Sequence, residues 1–136
     1  MSVFADTSGL YALLVGSEDG HADIVRAFRN VLTKDRPLWT TSYVLIETIA
    51  LLRNRVGLEP VRDFDEHLFP LLSVEWVSED LHRRGARRLS MENRRRLSLV
   101  DCVSFEFMRQ QGISDVLGLD RHFEEAGYRL LPEGRR

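Results

Sequence analysis

Four acidic residues, Asp6, Glu47, Asp101 and Asp120, stand where the chain changes from one secondary-structure element to the next, and each lies in an apolar run. The runs are Val3-Phe4-Ala5-Asp6-Thr7-Ser8, Val44-Leu45-Ile46-Glu47-Thr48-Ile49, Ser98-Leu99-Val100-Asp101-Cys102-Val103 and Leu117-Gly118-Leu119-Asp120-Arg121-His122-Phe123. A carboxylate taken out of water without a partner is strongly destabilised, so a fold that keeps four of them in such settings must supply counter-charge. An all-oxygen ligand set suits a hard cation such as Mg²⁺ or Mn²⁺. Capping offers a second reading of the three aspartates. Asp6-Thr7-Ser8 fits a helix N-cap, Asp120 could cap a short helix, and Ser98-Leu99-Val100-Asp101 fits a capping box. The two readings are compatible, because a helix N-terminus favours negative charge.

The elements that would position these acids follow from hydrophobic period. Residues 2–6 read as a first strand, followed by a helix from Thr7 that ends before Gly16. Residues 20–34 carry a helical stripe of Ile24, Val25, Phe28, Val31 and Leu32. Residues 37–41 read as a second strand, and 42–56 as a long helix closed by Gly57. A further amphipathic helix is predicted over 58–72 with Pro60 in its first turn. Residues 74–77 form a third strand and 78–89 a helix. Another helix spans 98–111, stopped by Gly112. The last strands are expected at 116–119 and 128–131, with a short helix at 122–126 between them. Strands alternating with helices imply βαβ crossovers and a mainly parallel sheet covered on both faces. In such sheets the ligand crevice lies outside the carboxyl ends of the strands, where Asp6 and Asp120 are expected. Glu47 has Tyr43, Val44, Ala50 and Leu51 three and four positions away, so it is expected to be buried and to point into a site. Asp101 has Leu97, Ser98, Ser104 and Phe105 as the corresponding neighbours.

Composition sets the bounds. At 136 residues, 43% hydrophobic and 29% charged, the chain is expected to be one soluble domain over 1–132 with a loose tail at 133–136. The sequence shows neither a signal peptide nor a membrane span, and a cytoplasmic location is expected. Cys102, the only cysteine, excludes an internal disulfide and a cysteine-rich zinc site, and is expected in the core. No Gly-rich Lys-Ser/Thr loop and no Ser-His-Asp or Cys-His arrangement is present, so no organic cofactor is expected.

The ordered set Asp-Thr-Ser after a first strand, Glu in the helix after the second, Ser-x-x-Asp-Cys opening a late helix, and Asp-x-His-Phe before a terminal Leu-Leu-Pro resembles the PIN-domain family. The resemblance runs from Val3 to Pro132 and is specifically to the VapC-type toxins of bacterial and archaeal toxin–antitoxin pairs. It implies a three-layer α/β/α domain with a five-stranded, mainly parallel sheet, and a Mg²⁺- or Mn²⁺-dependent endoribonuclease. It also implies a homodimer neutralised by a VapB-type antitoxin. Carried over by position, Asp6 and Asp101 become the principal metal ligands, and Glu47 a ligand or an orienter of water at the metal. Asp120 becomes a second-shell or second-metal ligand, and Thr7, Ser8 and Ser98 become supporting polar groups. One departure is Gly118-Leu119 before Asp120, where relatives more often carry Ala-Thr, so no hydroxyl contact is expected there. Two other readings fit the same residues: a PIN nuclease of RNA processing, or a catalytically silent interaction module. Retention of all four acids argues against the silent module.

Net charge of −2 and a pI near 6.1 give no bulk attraction for nucleic acid. The basic residues are uneven, however, and Lys34 is the sole lysine. Arg83, Arg84, Arg87 and Arg88 fall at helical spacing and are expected on a solvated face, paired with Glu79 or Asp80. Arg94, Arg95 and Arg96 lie just ahead of the helix that carries Asp101 and could contact RNA phosphates at the mouth of the site. His122 could face the crevice or sit beside a packed Phe123, while His21, His67 and His82 show no ligand spacing and are expected on the surface.

Overall fold

The structure, a computed structural model, describes residues 1–134, so Arg135 and Arg136 of the expected tail lie outside the described residues. Strands β1 (Val3–Ala5), β2 (Leu38–Thr41), β3 (Ser73–Glu75), β4 (Asp115–Leu117) and β5 (Arg129–Leu131) form one sheet in the order β3-β2-β1-β4-β5. Every pair is parallel. A parallel sheet must be covered on both faces, and β1 accordingly reads as the continuous apolar run Val3-Phe4-Ala5, all fully buried.

Helices α1 (Thr7–Leu14) and α2 (His21–Thr33) connect β1 to β2, and α3 (Ser42–Arg55) and α4 (Leu58–Asp63) connect β2 to β3. The chain then crosses back through α5 (Glu79–Ser90) and α6 (Leu99–Gln111) to β4, on the far side of β1. It finishes with the single turn α7 (His122–Glu125) and β5. Right-handed crossovers that reverse direction place α1 to α4 on one face and α5 to α7 on the other. Within each group α1 packs on α2 and α3, α3 on α4, and α5 on α6, while α3 also meets α6. The reversal between β1 and β4 makes a topological switch point, and the crevice at their carboxyl ends is where such sheets bind ligands.

Two glycines set the close approaches that shape this crevice. A Cβ on Gly9 would collide with the Leu117 carbonyl, so α1 lies directly against the backbone of β4. A Cβ on Gly85 would collide with Val103, which allows α5 to nest on α6. Beneath α6 and α7, Phe4 packs on Phe107 and Phe123 with ring centroids 6.0 and 6.4 Å apart, and Phe105 meets Phe123 edge-on at 5.1 Å. Phe123 is fully buried, and this anchors the short turn on which His122 sits.

Three elements depart most from the sequence expectation. The helix predicted over 58–72 is regular only through Asp63. It widens into a π turn at Phe64–Leu68 and tightens into a 3₁₀ turn at Phe69–Leu71. Pro70 is the cause, since it lacks an N–H and its ring would clash with the carbonyl four residues earlier in a continued α-helix. The third strand begins at Ser73 and stops at Glu75, short of the predicted end, because the Val77 N–H leaves the ladder and donates to Ser42 Oγ at 2.9 Å. The fourth strand begins at Asp115, whose carboxylate receives Arg36 at 2.6 Å and Arg129 at 2.8 and 2.9 Å.

Candidate active site

Asp6 follows β1 and is the N-cap of α1. Its Oδ2 accepts the Ser8 N–H at 3.4 Å and the Ser8 hydroxyl at 2.9 Å. The Ser8 oxygen in turn accepts the N–H groups of Leu119 at 2.9 Å and Asp120 at 3.2 Å. Two donors on its lone pairs leave the hydroxyl proton for Asp6. Ser8 thereby ties the Asp6 carboxylate to the loop after β4. A Cβ on Gly118 would stand 3.1 Å from Ser8 Oγ and 3.3 Å from Asp6 Cβ, so a glycine at this position gives the bridge its room.

Asp101 approaches from the opposite face of the sheet. It is the third residue of α6 and closes a capping box: Ser98 N–H donates to Asp101 Oδ2 at 3.0 Å, and Asp101 N–H donates to Ser98 Oγ at 3.1 Å. Asp120 Oδ1 accepts the His122 N–H at 3.0 Å. The His122 ring turns back so that Nδ1 lies 3.2 Å from Asp120 Oδ1 and 3.5 Å from Asp101 Oδ2. Asp101, Asp120 and His122 thus present ligand atoms within 4.8 Å of one another. Capping and clustering therefore coexist in this structure.

Electrostatics separates these acids from the other buried ones. Burial pushes the Asp6 carboxyl up from 3.8 to about 7; the Ser8 hydrogen bond opposes the shift, and the charges of Asp101 and Asp120 add to it. Burial also raises Asp101, with the Asp120 charge contributing. Two buried acids that sequence reasoning missed behave in the opposite way. Arg129, with Arg36, holds Asp115 below the usual carboxylate range. Burial would raise Glu106, but hydrogen bonds from Arg109 and Arg88 outweigh it and hold it low. Among the described residues, Asp6 and Asp101 have no arginine or lysine partner, and the charge they lack is the charge a divalent cation carries. Carboxylate oxygens with one imidazole nitrogen form a donor set that fits such an ion.

Other expected site residues are placed less centrally. Glu47 is half-buried in the second turn of α3, which starts at the same rim, and it lies outside the close-set group. Its burial was overestimated because α3 is apolar on two sides. Val44, Leu45, Thr48 and Leu52 face the core, whereas Ile46 is 66% exposed and Ala50 is also exposed. Thr7 is buried with its hydroxyl oxygen unpartnered.

The arginine stretch divides. Arg94 is tied to Glu92 and Glu125 at 3.0 Å each, so its charge is matched within the chain. Arg95 and Arg96 are exposed, and Arg96 lines an open cleft with Leu119, Asp120 and His122. Arg83 and Arg84 pair with Glu79 and Asp80 as expected. Arg88 departs from the solvated face: it reaches Glu106 at 2.9 Å and lies over the Phe105 ring, clamping α5 to α6. Neither His21 nor His82 is a simple surface residue. His21 Nδ1 meets the Ala12 carbonyl at 2.6 Å, and His82 Nδ1 meets the Tyr43 hydroxyl at 2.5 Å.

The PIN domain family model matches residues 3–127. The chain is 32% identical over 127 residues to the 23S rRNA-specific endonuclease VapC20 of Mycobacterium tuberculosis, covering 93% of this chain and 95% of that protein. It is 23% identical over 126 residues to a VapC ribonuclease of Aquifex aeolicus, covering 93% of each. The crystal structure of Mycobacterium tuberculosis VapC20, described as a sarcin-ricin loop cleaving toxin, superimposes with a TM-score of 0.81 at 31% identity. That superposition covers 93% of this chain and 96% of the other. Agreement in sequence and in three dimensions over nearly the whole length establishes that the chain belongs to the PIN domain family.

Proposed function

We propose that the protein is a VapC-type toxin, an endoribonuclease that hydrolyses RNA phosphodiester bonds with a divalent cation and is neutralised by a VapB-type antitoxin. One observation carries this reading: Asp6, Asp101 and Asp120 converge at the switch point without an arginine or lysine partner among the described residues, while the buried acids Glu106 and Asp115 each have two arginines. The likeness to ribonucleases of the VapC type over 93% of the chain supports it. Ribosomal RNA is the first substrate to test, since one such relative is named for cleaving it.

Asp101 and Asp120, with Asp6 beside them, would hold Mg²⁺ or Mn²⁺. When bound, such an ion neutralises phosphate charge, steadies the leaving oxygen and makes water acidic enough to supply a nucleophile at neutral pH. The protein's own part is positioning. Ser8 orients the Asp6 carboxylate and the capping box orients that of Asp101, and the lone pairs not taken by these hydrogen bonds would serve the ion. Glu47, half-buried at the rim, would orient water or serve as an outer ligand. Arg95 and Arg96 would draw the RNA backbone to the cleft beside Asp120.

The protein would act in the cytoplasm, where RNA is available; no helix among the described residues is long and apolar enough to cross a membrane. Ile46, Ile49 and Val56 form an exposed apolar stripe at helical spacing along and just past α3, which supports a homodimer. Brief expression of the parent and of Asp101→Asn in a bacterial host, followed by mapping of RNA ends, tests the function. New ends that appear only with the parent and vanish on co-expression of an antitoxin encoded beside it are the expected result. Identical RNA ends in the two strains would overturn the ribonuclease reading.

A further inference from the structure

His122 is the one member of the close-set group that is not an acid, and its Nδ1 has no hydrogen-bond partner. Nδ1 is shielded from solvent and makes no hydrogen bond, although two carboxylate oxygens stand 3.2 and 3.5 Å away. Neither oxygen meets the geometry of a hydrogen bond to Nδ1. Close approach without a hydrogen bond is what neighbouring ligands on one ion show. In an octahedral shell with bonds of about 2.1 Å, adjacent donor atoms stand about 3 Å apart, and each lies about 45° off its neighbour's bond to the metal. The ring is also held in place. The His122 N–H is bonded to Asp120 Oδ1 at 3.0 Å, and the next residue, Phe123, is locked in the aromatic core.

We propose that His122 Nδ1 is a ligand of the cation site together with Asp101 and Asp120, and that this nitrogen biases the site toward Mn²⁺ over Mg²⁺. The inference rests on the reading that the acidic cluster binds a divalent cation. Mg²⁺ strongly prefers an all-oxygen shell, whereas imidazole suits first-row transition ions, so one nitrogen among carboxylates favours the transition ion. His122 is accordingly a selectivity-determining ligand and not a bystander beside Phe123.

Pulsed electron paramagnetic resonance of the parent loaded with Mn²⁺, with no RNA present, tests this directly. The spectrum should carry the modulation of a coordinated imidazole ¹⁴N, and labelling all histidines with ¹⁵N should convert it to the ¹⁵N pattern without altering the protein. His122→Asn should abolish the modulation. By equilibrium binding it should loosen Mn²⁺ at least about tenfold and Mg²⁺ much less, consistent with the loss of a nitrogen donor. Mn²⁺ that binds in an Asp101-dependent manner without nitrogen modulation overturns the His122 assignment and leaves the cation site standing. Equal loosening of both ions by His122→Asn overturns the selectivity claim. Failure of the parent to bind either ion, or binding untouched by Asp101→Asn, overturns the cation site itself and this inference with it.

Discussion

Asp6 ties the stability of the metal-free protein to pH. With a carboxyl raised from 3.8 to about 7, the folded state keeps a proton that the unfolded chain has already released across that interval. Stability should therefore be greatest below about pH 4 as far as this group is concerned, fall as pH rises toward about 7, and level off above it. The loss is on the order of 4 kcal/mol for a shift of this size. Asp6→Asn should flatten the curve and raise the melting temperature at pH 8 without metal, since asparagine caps a helix as well as aspartate does. Chemical denaturation between pH 4 and 8 checks this, and a parent curve that rises steadily with pH would contradict it. Cation binding requires the ionised carboxylate, so affinity for the metal should strengthen over the same interval. Glu47 calls for a different outcome because it is half-buried. Glu47→Gln should leave folding stability within about 0.5 kcal/mol, as surface substitutions do, while slowing RNA cleavage. Comparable cleavage by this variant would remove Glu47 from the site.

The loop before α6 and the helix α5 before it carry a separable set of charges. Arg95→Ser with Arg96→Ser should weaken binding of single-stranded RNA and reduce its salt dependence by roughly 0.7 per lost phosphate contact. Arg94→Ser should act mainly by freeing Glu92 and Glu125, and Arg83→Ser should change little. RNA binding measured in Ca²⁺ across a salt series checks both, and an unchanged slope in the double variant would remove this loop from the RNA path. Gly85→Ala should destabilise the fold by about 1–3 kcal/mol through the clash with Val103, because α5 and α6 meet there without slack. The sequence made these elements readable where period and punctuation agreed, as at Gly112, whose φ of 68° ends α6 where predicted. It failed at Leu58 to Leu72, where the apolar stripe continued but Pro70 interrupted the backbone.

Across the molecule, the legible part of the site was the part set by strand ends. Asp6 and Asp120 could be placed at the rim because a parallel sheet puts its crevice there. Asp101 could be placed because Ser98 announced the helix start. The burial of Glu47 was overestimated because one sequence cannot tell an apolar helix face that meets the core from one that meets solvent, as Ile46 and Ile49 do. Asp115 was missed because its partners, Arg36 and Arg129, come from distant parts of the chain. The signal for it existed in the parallel register, which sets Asp115 opposite Arg129. His122 could be noticed but not placed, since its value lies in the direction its ring turns. Ion pairing across the fold is thus what distinguishes structural acids from candidate catalytic ones, and sequence alone does not reveal it. Cleavage of purified ribosomal RNA by chelator-treated protein decides whether Asp6, Asp101 and Asp120 form a cation-dependent ribonuclease site. The parent should be inactive without metal and regain cleavage on addition of Mn²⁺ or Mg²⁺, while Asp6→Asn and Asp101→Asn stay folded and inactive with either ion. Cleavage that persists in chelator, or that either variant retains in full, would contradict a cation-dependent site at these carboxylates.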